Sequence, residues 1–307
     1  MNSTTPLRVR HLAGYGLEVP DVSVAEKFYT SFGLAADPLG EALQLRAAQT
    51  GPAEIVVVKG AQKRLHHLSF AINDIDVERF AEHLKTRGVA TATPPFGALR
   101  DGLWFQDPWG TWLNLVPVQT VEPVLALEPK LVHPRVDRHL WQELNRKIRP
   151  TKLGHLLMFT PEYDRAEAFY CETLGLRITD RVPGKVAFFS GGSGIRDHHC
   201  FGLIPSTHRG FQHGSFQVDS VDDIGFGAMQ MRAAGYREGF GLGRHALASN
   251  LFHYTRDPWG SWVEYYADMD KISEAWQTRD WNGLPYIWPD WAPEFWGKEM
   301  NGNFEPR

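Results

Sequence analysis

The chain of 307 residues is long enough for two ordinary domains, and its 43% hydrophobic and 22% charged residues describe a globular protein with no disordered tract. A formal charge of −4 with no run of Lys or Arg argues against a nucleic-acid partner, because phosphate binding needs clustered positive charge. Two cysteines make no disulfide framework, the polar start Met1-Asn-Ser-Thr-Thr-Pro6 does not resemble a signal peptide, and no apolar run approaches the roughly 20 residues of a bilayer span, so a cytoplasmic protein without membrane contact is expected.

Read in order, the chain opens with a strand at Ala13 to Val19. A helix follows that carries Ala25-Glu-Lys-Phe28-Tyr29 and is closed by Gly33, a C-terminal stop signal. Glu54 to Val58 reads as a strand, His66 to Ile72 as another, and Asp76 to Gly88 as a second helix. A pair of strands around the turn Asp107-Pro-Trp-Gly110 then ends at Asn114. Everything recurs in the second half. Gly154-His155 opens a strand, Ala166-Glu-Ala-Phe169-Tyr170 lies on a helix closed by Gly175, and Lys185 to Phe189 matches the Glu54 run. Phe211-Gln-His213 to Val218 precedes a helix over Asp222 to Gly235, and Tyr254-Thr-Arg-Asp257-Pro-Trp-Gly260-Ser-Trp-Val-Glu264 repeats the turn. The spacing from Gly14 to Phe28 and from His155 to Phe169 is 14 in both cases.

Such a pattern predicts an α+β fold of two domains, each of two paired βαβββ modules forming a curved mixed sheet with outer helices. The expected limits are 1–120 for a metal-free first domain, 121–150 for a proline-bearing linker with a short helix around Asp137 to Lys147, and 151–270 for a catalytic domain. The remaining 271–307 is a tail holding Trp276, Trp281, Trp288, Trp291 and Trp296. Those tryptophans suit either an arm packed over the domain or a neighbouring subunit, or a lid or wall for an aromatic substrate.

Three residues converge on one chemistry: His155, His213 and Glu264, one from each of three strands in the second half. Two imidazoles and a carboxylate are the facial set of non-haem ferrous enzymes, which leaves adjacent positions open for substrate and dioxygen. The duplication supplies an internal control. Gly14 stands opposite His155, His67 opposite His213, and Asn114 opposite Glu264. Glycine cannot bind a metal and an amide oxygen binds one weakly, so the first half should be metal-free, with His67 a relic or a packing residue and His66 without a role.

With these residues in place, the chain resembles the type I extradiol catechol dioxygenases of the vicinal oxygen chelate (glyoxalase/bleomycin resistance/dioxygenase) superfamily. The resemblance spans about residues 11–117 and 153–270 and is specific in the second half. It implies Fe(II), with Mn(II) as the other candidate ion, and opening of a catechol-type substrate beside its two hydroxyls by O2, in aromatic catabolism. A homo-oligomer is expected from the same resemblance. It also carries Tyr254, ten residues before Glu264, and His245, nineteen before it, as residues that would hold the bound catecholate. His199, heading His199-Cys-Phe-Gly-Leu203 on an expected strand, would move the protons. Strand alternation then turns Cys200 into the core and His198 away as a supporting partner or a bystander, although a register slip would exchange His198 with His199; His253 likewise faces away from the site.

Other signals are weaker. Neither Gly191-Gly-Ser-Gly194 nor Gly239-Phe-Gly-Leu-Gly243 has the context of a phosphate or dinucleotide loop, and no Gly-x-Ser-x-Gly elbow occurs. Two competing functions remain at this point: a glyoxalase-like isomerase using a different divalent ion, and a non-catalytic small-molecule binding protein of the same fold, which should hold no metal.

Overall fold

The computed structural model describes residues 6–47, 51–95, 97–98, 101–119 and 146–282. The helix expected around Asp137 to Lys147 lies outside the described residues up to position 145, and Arg146 and Lys147 are irregular. Trp288, Trp291 and Trp296 also lie outside them.

The first half runs β1 (His11–Val19), α1 (Val22–Phe32), β2 (Ala35–Leu39), β3 (Ala42–Arg46), β4 (Ile55–Lys59), β5 (Arg64–Asn73), α2 (Val77–Thr86), β6 (Leu103–Gln106) and β7 (Trp112–Val118). Asp21 starts α1 by accepting the N–H groups of Ser23 and Val24 at 2.9 and 3.3 Å. Gly33 ends it in the left-handed region at φ 103°, where a side chain would be strained. The second half repeats the plan with β8 (Lys152–Thr160), α3 (Tyr163–Leu174), β9 (Arg177–Val182), β10 (Val186–Ser190), the two-residue β11 (Arg196–Asp197), β12 (Phe201–Pro205), β13 (Gly210–Gln217), α4 (Val221–Ala233), β14 (Gly239–Arg244), β15 (Leu251–Arg256) and β16 (Trp262–Ala267). Gly175 closes α3 at φ 67°. Among the described residues, the module that begins at β5 has two strands after its helix. Pro94 and Pro95 lie in the stretch where a third would form, and neither can donate to a ladder.

Each half is built on one mixed sheet, and the second half adds a separate two-stranded ribbon. The first has the order β2-β3-β4-β1-β5-β7-β6, with β1 parallel to β4 and β5 parallel to β7. The second has the order β14-β15-β16-β13-β8-β12-β10-β9-β18, where β18 (Arg279–Asp280) is a piece of the tail laid parallel to β9. The described tail is therefore an arm on its own sheet, anchored by Arg181 Nε donating to Asp280 at 2.7 Å and Trp276 Nε1 donating to the Thr179 carbonyl at 3.0 Å. Before it, β17 (Lys271–Ile272) pairs with β11. Trp281 packs on Leu157, Val182, Val186 and Leu247.

The outer helices face the sheets with apolar stripes, and one core runs through both halves. Phe32 of α1 stacks on Tyr265 of β16 at 3.9 Å between ring centroids, and the Tyr265 hydroxyl donates to the Phe32 carbonyl at 2.7 Å. Burying rings of this size contributes roughly 1.5–3 kcal/mol each. Glu54 makes a second tie, its carboxylate accepting the N–H groups of Ala47 in its own half (2.7 Å) and Leu153 in the other (2.6 Å). No helix among the described residues is long and apolar enough to cross a membrane.

Candidate metal centre

Strand alternation sorts the residues of β8. Leu156 and Met158 enter the main core, while His155, Leu157 and Phe159 point to the opposite face. On the neighbouring strands the register aligns His155 with Ser215 of β13, and Ser215 with Glu264 of β16. These three residues form a row across the sheet. His213, two residues before Ser215, shares the face, and the small serine side chain between the larger ones leaves room for them to converge. His155 Nε2 and His213 Nε2 lie 3.0 and 3.5 Å from Glu264 Oε2, and one donor atom from each residue falls within 4.8 Å of the others.

All three side chains are buried, and Glu264 Oε2 and His213 Nε2 have no hydrogen-bond partner. A buried anion and an unpartnered imidazole nitrogen aimed at one point are costly unless a cation joins them. Burial alone would raise the Glu264 carboxyl, but the imidazoles of His155 and His213 hold it well below the usual carboxylate range. Burial lowers His213 in turn, with Glu264 offsetting part of the effect. One carboxylate and two imidazoles thus fit a divalent metal ion. Gln212 Oε1 bonds His213 Nδ1, which leaves Nε2 to face Glu264.

The remaining expected residues surround this triad. Tyr254 pairs directly with Glu264 across β15 and β16, and its ring meets that of His213 edge-on at 5.2 Å. His245 follows β14, stacks on Phe252 at 4.1 Å, and brings Nε2 to 3.3 Å from the Tyr254 hydroxyl and 3.9 Å from Glu264 Oε1. Burial pushes its pKa down to about 4, with the Glu264 charge opposing. The ring of His199 lies 4.4 Å from that of His155. Burial first, and the surrounding imidazoles second, hold His199 well below its ordinary range. His253 points the other way, toward α4, and burial together with the charge of Arg232 lowers it to about 4.

One expectation needs correcting. His199 is not on a strand, since β12 begins at Phe201; the ladder reaches back only to Cys200, whose N–H donates to the Phe189 carbonyl at 2.8 Å. The His198 backbone is instead held by the Asp270 carbonyl at 2.9 Å. With the backbone so turned, the two imidazoles part. His199 faces His155, and His198 sits against Trp276 with its Nε2 3.2 Å from Asp180. Their Nδ1 atoms are 3.1 Å apart, giving a chain Asp180–His198–His199 that local pattern did not reveal. Ser215, Gln212 and Asn250, the last 3.4 Å from Glu264 Oε1, were also missed. Only Ser215 carried a usable signal, because Ser69 holds the matching place in the first half.

In the first half the row is Gly14, Ser69 and Asn114. A Cβ on Gly14 would lie 2.6 Å from the Glu54 carbonyl oxygen, so a ligand has no room there. His67 Nδ1 contacts His66 Nδ1 at 2.7 Å and packs edge-on against Trp104. Among the described residues, His155, His213 and Glu264 are the one group with metal-ligand geometry.

The family model for the Glyoxalase/Bleomycin resistance protein/Dioxygenase superfamily matches residues 152–265, the stretch that bears all three ligands. Metapyrocatechase 2 of Cupriavidus necator is 36% identical over 290 residues, covering 93% of this chain and 90% of that protein. The 2,3-dioxygenase LapB from Pseudomonas sp. KL28 superposes with a TM-score of 0.74 at 17% identity, covering 90% of this chain and 98% of that one. A Mn(II)-bound glyoxalase from Novosphingobium aromaticivorans does so with a TM-score of 0.73 at 20% identity, covering 92% and 90%. At such identities the two structures speak for the fold alone. Fold, site and the extended match define a metal-dependent oxidoreductase. The chain belongs to the extradiol ring-cleaving dioxygenases of this superfamily.

Proposed function

We propose that this protein uses Fe(II) held by His155, His213 and Glu264 to open the ring of a catechol-type aromatic beside its two hydroxyls, placing both atoms of O2 in the product. The observation that carries this reading is the gathering of His199, His245 and Tyr254 around the buried triad. An isomerase that only binds and enolises its substrate leaves no work for all three. A ferrous ion at this site supplies a chelating Lewis acid for the two catechol oxygens and a one-electron partner for dioxygen.

The chain's own residues do the rest. The Tyr254 hydroxyl and His245 Nε2, 3.3 Å apart, hold one catecholate oxygen and fix the plane of the ring. His199 faces His155 with its Nδ1 engaged by His198, which leaves Nε2 to take a catechol proton and return it as the ring opens. Asp180 and His198 fix the orientation of that imidazole from behind. Phe188 lies 4.7 Å from the His199 ring and helps keep water from the proton path. Metapyrocatechase 2, by its name, acts on a catechol, which supports the same substrate class here.

The reading includes a two-domain division at 1–120 and 151–270, with a 121–150 linker and a 271–307 tail, and a cytoplasmic homo-oligomer whose assembly light scattering would measure. Protein loaded anaerobically with Fe(II), given catechol and then exposed to air should form a yellow ring-opened product with one O2 consumed per ring. Mn(II)-loaded protein run alongside identifies the working ion. A His213→Ala variant that keeps full metal and full turnover would sink the assignment.

A further inference from the structure

Both Asp-Pro-Trp-Gly turns are held by the opposite half of the molecule, through different chemistry. Asp107 caps its own turn by accepting the N–H groups of Trp109 and Thr111 at 3.0 and 2.7 Å, and its other oxygen accepts the Tyr170 hydroxyl of α3 at 3.0 Å. Asp257 repeats the cap at Trp259 and Ser261, at 2.9 and 3.0 Å, but its other oxygen meets the ammonium of Lys63 from the metal-free half. The side chains of that ion pair are 2% and 1% exposed. Lys63 and Arg209 hold matching places in the duplication, each four residues before His67 or His213, yet Arg209 is exposed while Lys63 is sealed inside. The buried ion pair therefore occurs at the turn of the half that carries the chemistry.

Its neighbours say what it braces. Asp257 joins β15 to β16, the strands that deliver Tyr254 and Glu264. The Lys63 ammonium also sits 4.7 Å from the ring centroid of Phe211, two residues before His213 on β13, and Tyr15 stacks on that ring at 5.3 Å. One cation thus touches the hairpin that carries the carboxylate and the strand that carries a histidine ligand. Burying such a pair adds little net stability compared with apolar residues of equal volume. At the twin turn the Asp107 oxygen takes a neutral hydroxyl from Tyr170, and the matching cation, Arg209, lies over Gly110 at the exposed surface instead of pairing with the buried carboxylate.

We propose that Lys63 is a positioning residue of the metal centre, supplied by the metal-free half, which holds β13 and the β15–β16 hairpin so that His213 and Glu264 meet. The inference rests on the triad being the metal site argued above. The test compares full-length wild-type protein with Lys63→Met, Lys63→Arg and Asp107→Asn, measuring iron retention against a chelator, kcat per bound iron with catechol, and Tm of the iron-free form. Lys63→Met should release Fe(II) about tenfold faster or more. Lys63→Arg should restore most of the retention, and Asp107→Asn should lower Tm while keeping wild-type retention. Should Lys63→Met fail to fold, Lys63→Gln replaces it in the same comparison. Wild-type iron retention in the Lys63 variant, or equal loss in Asp107→Asn, overturns the proposal. A wild-type protein that binds no iron overturns the metal-centre reading itself, a separate result.

Discussion

The rows Gly14–Ser69–Asn114 and His155–Ser215–Glu264 occupy the same register on two copies of one scaffold. The scaffold is common, down to the central serine, and chemistry enters through what stands at the two outer places. Glu264→Asn is the sharpest way to break this contrast, because it writes the first half's residue into the second. The buried carboxylate that joins both imidazoles disappears, so iron affinity should fall by more than ~100-fold and turnover with it. Equilibrium dialysis against Fe(II) measures the first, and oxygen uptake the second.

A smaller change separates metal holding from proton movement. His199→Asn leaves all three ligands in place and removes the group facing His155, so iron should be retained while kcat drops by roughly 10²–10⁴-fold. Equal loss of iron in that variant would mean that His199 belongs to the binding of the metal. The reverse experiment asks whether the first half accepts a side chain at its vacant corner. A Cβ at position 14 would meet the Glu54 carbonyl, and Glu54 also ties the halves through Leu153. Gly14→Ala should therefore cost about 1–3 kcal/mol in denaturant unfolding, with iron stoichiometry unchanged.

The triad was legible in the sequence because metal ligands come from few residue types and the duplication showed which copy lacked them. Helix ends at Gly33 and Gly175 were legible for a local reason: both take positive φ. What escaped was either locally weak or far apart. Strand β2 contains Pro38 and is largely exposed, and β14 has three glycines in six residues, so neither shows a strand pattern; β14 forms because Phe240 stacks on Tyr254. His199 left the expected strand because the Asp270 carbonyl holds the backbone at His198. The Lys63–Asp257 pair spans 194 positions, a separation at which charge pattern carries no signal.

The smallest effect tests whether the halves communicate through general packing or through specific ties. Phe32 and Tyr265 join α1 of the metal-free half to β16, one residue beyond Glu264, but Tyr265 faces the helices and Glu264 the metal. Tyr265→Phe keeps the stacked ring and deletes the hydroxyl that donates to the Phe32 carbonyl, leaving that buried acceptor with one partner fewer. The expected cost is about 1 kcal/mol in urea unfolding, because removing one neutral hydrogen bond costs about that much. Iron retention and kcat should stay at wild-type values. If they fell in step with stability, any loosening of the contact between halves would disturb the site, and the specific place given to Lys63 would lose its force.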